Sequence, residues 1–99
     1  MNEELTQEEK DLKSIMEGWS LGDIDNQTEA MCLVAVMQDG LNLAHVILQS
    51  YAVCMAAVKQ NGMAIKYVGW SNLSEEIVCA AISQNPDAEI YITRFISTL

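Results

Sequence analysis

The sequence predicts an all-α fold, with an N-terminal capping helix followed by three short helical hairpin repeats. Three observations predict it: an internal repeat, helix start and stop signals that recur in each copy, and a chain of 99 residues of which 51% are hydrophobic. A chain of this length closes around one core, because domains usually have roughly 50 to 200 residues. We therefore expect a single domain over residues 1–99.

The internal repeat is clearest between its second and third copies. The segment VCMAAVKQNG at 53–62 matches IVCAAISQNP at 77–86, at a shift of 24 residues (77 minus 53). A weaker copy contains AVMQDG at 35–40, which matches AVKQNG at a shift of 22 (57 minus 35). A fixed period is typical of stacked supersecondary units. We name the copies units one, two and three and place them at about 27–48, 49–72 and 73–99.

Each unit has an apolar stretch, a Gln-(Asn/Asp)-(Gly/Pro) break and a second, more mixed stretch. Alanine, methionine and leucine favour helix in the apolar stretch. The break should end that helix, because glycine and asparagine tolerate the left-handed backbone of a helix C-terminus. Asn85 is expected to cap the next helix, with Pro86 in its first turn. Ser50 and Ser74 are the expected caps of the apolar helices in units two and three.

Residues 1–26 precede the repeat and form an acidic N-terminal cap. Thr6 and Glu9 have the spacing of a capping box, so a helix is predicted to begin there. An apolar stripe at helical spacing can then lie across unit one. The stripe comprises Leu12, Ile15, Met16 and Trp19.

An α+β fold is the alternative. Residues 31–37 form a short apolar run, and residues 90–96 are rich in β-branched and aromatic side chains. Either segment could be a strand, since periodicity alone does not separate a short buried strand from a buried helix. The repeat favours the helical interpretation.

Units two and three resemble a known repeat family. AAVKQNG at 56–62 is followed by AIKY at 64–67, and EIVCAAISQNP occupies 76–86. Over roughly residues 49–92 the chain is similar to the family called domain of unknown function 4116. The resemblance implies short tandem α-helical hairpins, with no established activity and no catalytic residue to transfer. This chain departs from the family pattern in its few copies and its degenerate first copy.

The charge of the chain excludes several classes of partner. Fourteen acidic residues against five basic ones give a net charge of -9, which opposes direct binding to nucleic acid or to an anionic membrane. Trp19 and Trp70 are expected to be packing or interface anchors, because no basic groove accompanies them.

The acidic N-terminus lacks the features of a secretory signal, and residues 31–37 are too few to cross a bilayer. We expect a cytoplasmic protein.

No catalytic, metal or cofactor site is predicted, and we expect that the protein is not an enzyme. His45 is the only histidine, and the sequence contains no Cys-x-x-Cys or Cys-x-x-His pair. Glu75 and Glu76 diverge by about 100 degrees on a helix, so capping explains them better than paired carboxylate chemistry. A cysteine nucleophile beside His45 is the enzymatic alternative. The side chains expected to pack in the core are His45, Cys32, Cys54 and Cys79.

The candidate partner-binding surface is the acidic N-terminal third, where residues 1–39 hold ten acids and two lysines. On a helix, Glu4, Glu8 and Asp11 would share one face, although a merely solvated face would look the same. We expect a small acidic protein-interaction module, specifically a phage or mobile-element inhibitor of a basic, nucleic-acid-handling partner. The alternative is a structural or oligomerisation module that self-associates through apolar helix faces. The candidate residues are Glu4, Glu8, Asp11, Asp23 and Asp25.

Overall fold

The computed structural model describes residues 4–18, 20–24 and 26–92. These ranges contain helices and no strand, which confirms the all-α fold class for the described part of the chain. Residues 31–37 lie inside an α-helix, and residues 90–92 are helical. The strand alternative is therefore wrong for them, and residues 93–96 lie outside the described residues. Within the described ranges, four α-helices have ten residues each: α1 Gln7–Met16, α2 Glu29–Gln38, α3 Tyr51–Gln60 and α4 Glu75–Gln84.

Helices α1, α3 and α4 begin at the caps that the sequence predicts, and α2 begins at Thr28, for which no cap was predicted. The hydroxyl of Thr6 accepts a hydrogen bond from the backbone N–H of Glu9, whose carboxylate accepts one from the backbone N–H of Thr6. Thr28, Ser50 and Ser74 each accept from the backbone N–H three residues on. Each such cap contributes about 1 kcal/mol to helix stability.

Helices α2, α3 and α4 end at the predicted break, but the backbone conformation there differs from the predicted one. The next residue in each case, Asp39, Asn61 or Asn85, is extended, with φ of -153°, -149° and -149°. Among the described residues, φ is positive only at Gly18, so the expected left-handed helix end is wrong. Each side chain instead accepts from the N–H two residues on and caps a 3-10 helix. These second helices of the units are Gly40–His45, Gly62–Tyr67 and Pro86–Ala88.

The elements pack side by side in chain order. Helix α2 contacts α1 and α3, and α3 contacts α4. The 3-10 helix of unit two contacts those of units one and three. Side chains at equivalent positions of α2, α3 and α4 are fully buried, so one apolar core runs through the stack. They are Met31 and Ala35 in α2, Val53 and Ala57 in α3, and Ile77 and Ala81 in α4.

Gly40 and Gly62 allow consecutive units to pack closely. A Cβ atom at either position would overlap a backbone carbonyl oxygen of the next α-helix. The N–H groups of Gly40 and Gly62 donate to the side-chain oxygens of Gln60 and Gln84, so a glutamine on each following helix ties two units together. Pro86 occupies the equivalent position in unit three and has no N–H group to donate.

The predicted stripe on α1 is only partly buried. Ile15 is fully buried, and Leu12 packs against the core. Met16 is 62% exposed, because it lies about 100 degrees around the helix from Ile15. The prediction for Met16 is therefore wrong, and Trp19 lies outside the described residues.

Two of the side chains predicted to lie in the core are exposed. Cys32 and Cys54 are buried as expected, but Cys79 is exposed. It lies two residues from buried Ile77, which turns its side chain to nearly the opposite side of α4. His45 is exposed as well, in the 3-10 helix of unit one. The core predictions for Cys79 and His45 are wrong.

Candidate protein-interaction groove

Two adjoining pockets lie where the N-terminal cap meets unit one. Asn26 and Thr28 line both. The smaller pocket, of about 220 Å³, is bounded on its other side by residues of α1. The larger, of about 400 Å³, extends between the N-terminal ends of α2 and α3. We call the two pockets together the N-terminal groove. Its walls include Glu8, Asp11, Asn26, Glu29, Ile47 and Leu48.

One part of the groove is acidic. Glu8 and Asp11 line the smaller pocket, and Glu29 in the first turn of α2 lines the larger one. Glu8 and Glu29 are exposed, whereas Asp11 is half-buried and accepts a 2.9 Å hydrogen bond from the Gln7 amide. No lysine or arginine is present among the described residues that line the two pockets. The groove therefore presents negative charge to a partner.

The other part of the groove is apolar. Ile47 and Leu48 are 66% and 87% exposed, in the loop that leads to α3. Gln27 holds this loop: its side-chain oxygen accepts from the N–H of Ile47 at 2.9 Å, and its amide donates to the carbonyl of His45 at 2.7 Å. The groove therefore combines exposed apolar side chains with carboxylates.

Unit two repeats the same loop arrangement. The side-chain oxygen of Gln49 accepts from the N–H of Gly69 at 2.8 Å, and its amide donates to the carbonyl of Tyr67 at 2.6 Å. Trp70 follows Gly69 and is 64% exposed. Leu48 and these two glutamines were not among the residues predicted to form the site. The signal was present, since the shift of 22 aligns Leu48 with Trp70 (70 minus 48) and Gln27 with Gln49 (49 minus 27).

The structure brings only some of the predicted partner-binding residues together. Glu8 and Asp11 both line the groove. Glu4 is exposed but precedes the cap at Thr6, so it does not share a helix face with them. Asp23 is exposed at the end of a short 3-10 helix, and Asp25 lies outside the described residues.

The buried thiols have environments that disfavour thiolate. The thiol of Cys54 donates to the Gln49 side-chain oxygen, at 3.4 Å, and that of Cys32 to Gln27, at 3.7 Å. Burial raises the pKa of the Cys54 thiol to about 11. Burial and, secondarily, the negative charge of Glu29 raise the pKa of Cys32. These shifts are opposite in direction to the lowered pKa values of cysteine nucleophiles.

His45 is exposed, and its ring lies beside Gly22. Within the described ranges no group of three or more histidine, cysteine or acidic side chains is placed to hold a metal ion. The helices of those ranges also include none that is long and apolar enough to cross a membrane.

Cysteine labelling checks the thiol environments. At about pH 8 we expect a maleimide to modify exposed Cys79 rapidly and Cys54 only slowly, since a pKa of about 11 leaves about one thousandth of the Cys54 thiol ionised. The raised pKa means that the folded state favours the neutral thiol. This stabilisation is complete below the ordinary value of 9.0 and is lost as the pH rises towards about 11. Mass spectrometry of timed samples gives the site order, and faster modification at Cys54 than at Cys79 would contradict the prediction.

Comparison with known protein families concerns the C-terminal part of the chain. Residues 51–97 match the family model described as Domain of unknown function (DUF4116). No curated protein and no solved structure matches the chain. The residues that line the groove precede the matched segment, so the family assigns no role to them. The matched segment contains α3, the 3-10 helix after it and α4, so this part of the chain is similar to a family of unknown function.

Proposed function

We propose that the protein is a small acidic protein-interaction module that binds a basic partner through the N-terminal groove. The supporting observation is that Glu29 lines the larger pocket together with exposed Ile47 and Leu48, while Glu8 and Asp11 line the adjoining smaller pocket. Carboxylates alone steer a partner through long-range attraction. Apolar side chains beside them add the desolvation that a specific interface needs. The proposal needs no cofactor and no catalytic residue.

The partner that we propose is a basic, nucleic-acid-handling protein of the cytoplasm. The net charge of -9 has the sign of a phosphate backbone, so a surface that attracts nucleic acid also attracts this protein. Binding there would block the nucleic acid, which is how a phage or mobile-element inhibitor would act. The same charge opposes direct binding of this chain to nucleic acid or to anionic membranes.

Charge reversal within the groove tests the proposal. For the variant with Glu8→Lys and Asp11→Lys, we expect a cationic peptide to bind about tenfold more weakly at low salt. Each reversal removes an attraction and adds a repulsion, a change of about 0.7 kcal/mol, and two such changes correspond to about a tenfold rise in Kd. The difference should shrink at high salt, since Glu8 is exposed and Asp11 only half-buried, so that ions screen both charges. The probe is a short fluorescent peptide of lysine, leucine and serine, and fluorescence anisotropy gives its Kd.

The matched control is the variant with Glu17→Lys and Asp87→Lys. It changes the net charge by the same amount at two exposed residues. Both follow the C-terminal ends of α-helices, at the opposite end of the helices from Glu29. We expect this control variant to raise the Kd of the peptide much less. If both variants raised the Kd equally, only the net charge would matter, and the groove would not be the binding site.

A second candidate function is a structural module that self-associates. It is favoured by the exposure of large apolar side chains, with Leu48, Trp70 and Ile90 each more than 60% exposed. Sedimentation velocity at several protein concentrations separates the candidates. A protein that stays monomeric throughout contradicts self-association and leaves the partner-binding proposal intact.

A further inference from the structure

Leu48 and Trp70 occupy equivalent positions in two neighbouring loops of the stack. Gln49, the neighbour of Leu48, accepts a hydrogen bond from the N–H of Gly69, the neighbour of Trp70. The two apolar side chains are 87% and 64% exposed, one in the loop before α3 and one in the segment before α4. We call the surface formed by Leu48, Tyr51 and Trp70 the apolar edge. It continues from the N-terminal groove, because Leu48 belongs to both.

A second carboxylate site lies at the far end of the apolar edge. Tyr51 is 41% exposed, and its hydroxyl donates to the Glu76 carboxylate at 3.3 Å and contacts the Ser74 hydroxyl at 3.2 Å. Glu76 lies in the first turn of α4. The apolar edge is therefore flanked by Asp11 and the other groove carboxylates on one side and by Glu76 on the other.

We propose that one extended segment of the basic partner binds along this edge, with basic side chains at both ends and apolar side chains between them. This inference rests on the proposed function. The acidic flanks favour a basic occupant over a second copy of this chain, which itself carries a charge of -9. The polar ends of the segment would meet the carboxylates, while its apolar middle would cover Leu48 and Trp70.

The spacing of the units indicates the conformation of this segment. Packed helices lie about 8 to 10 Å apart, so equivalent side chains on neighbouring units recur at about that distance. An extended polyproline II chain rises about 3.1 Å per residue and presents the same face every three residues, or about 9 Å. Two apolar side chains three positions apart therefore match Leu48 and Trp70.

Two fluorescent peptides test the inference. The first has lysines at both ends and two leucines three positions apart, as the polyproline II repeat requires, and the second replaces the leucines by serines. We expect Leu48→Gln and Trp70→Gln each to raise the Kd of the leucine peptide about fivefold and to leave the serine peptide unchanged. The matched control is Met37→Gln, which alters a 67% exposed side chain at the other end of α2 and should change neither Kd. Circular dichroism of each variant verifies that it is folded.

The outcomes separate this inference from the proposed function. Leu48→Gln and Trp70→Gln could leave the Kd of the leucine peptide unchanged while the variant with Glu8→Lys and Asp11→Lys raises it. In that case the inference about the apolar edge is wrong, and the proposed acidic module stands. If the charge reversal has no effect either, both are wrong. An equal rise in the Kd of the leucine and serine peptides with Leu48→Gln or Trp70→Gln also overturns the inference, because the apolar edge should recognise only the leucines.

Discussion

Replacing Gly62 by alanine should lower the free energy of unfolding by about 3 kcal/mol. The added Cβ would overlap the carbonyl oxygen of Ala81 and press against the backbone of Asn85. Backbone atoms cannot move aside as a flexible side chain can, so α4 must shift away from unit two. The shift would also weaken the hydrogen bond from Gly62 to Gln84, leaving a polar group without its partner. Urea denaturation followed by circular dichroism measures the loss as a lower midpoint.

Gly69→Ala is the control for this prediction. Its added Cβ would meet only the Gln49 side-chain oxygen, at 3.4 Å, and the backbone at Gly69 suits any residue, with φ of -68° and ψ of 150°. We expect a change within about 0.5 kcal/mol. Gly40→Ala should behave like Gly62→Ala, since its Cβ would meet the equivalent atoms of α3. If Gly62→Ala and Gly69→Ala lowered the free energy of unfolding equally, close packing of the units would not explain the effect of Gly62→Ala.

Ile77→Ala should also lower the free energy of unfolding by about 3 kcal/mol. Ile77 is fully buried in α4, at the position that Val53 occupies in α3. Truncation removes apolar contacts and leaves a cavity that a packed stack fills only in part. Because α4 packs on α3, the loss should appear in the unfolding of both helices together, measured by circular dichroism in urea.

The matched control is Ile90→Ala, which makes the same chemical change at a side chain that is 68% exposed. We expect it to change stability by less than about 0.5 kcal/mol. If Ile77→Ala cost no more than Ile90→Ala, the packing of α4 on the rest of the stack would be contradicted.

The helix starts could be predicted from the sequence because each depends on neighbours in the chain. The Thr6 and Glu9 capping box joins residues three positions apart, and Ser50 and Ser74 bond to N–H groups at the same separation. Such contacts need no knowledge of the fold. The role of Asn85 as a cap with Pro86 in the next turn was predictable for the same reason.

The positions of the helix ends could be predicted from the break residues, but their backbone conformation could not. The break residues suggested a left-handed helix end, but Gly62 is needed because α4 approaches its backbone. The Gln84 side chain that bonds to Gly62 lies 22 residues away in sequence. Helix propensity depends on one residue and its neighbours in the chain, whereas the need for glycine at position 62 comes from atoms of α4 in the next unit.

In the candidate groove, too, some features follow from neighbouring residues in the chain and others from the packing of separate helices. The sequence by itself determined that α1 carries Glu8 and Asp11 one turn apart, since helical spacing alone places them together. Only the tertiary structure decided that this acidic helix adjoins Asn26 and Thr28 and, through them, the exposed side chain of Leu48. The physical reason is the range of the interactions: caps and helix faces form within about one turn of chain. The groove depends on how separate helices pack, which the order of residues within any one helix does not specify.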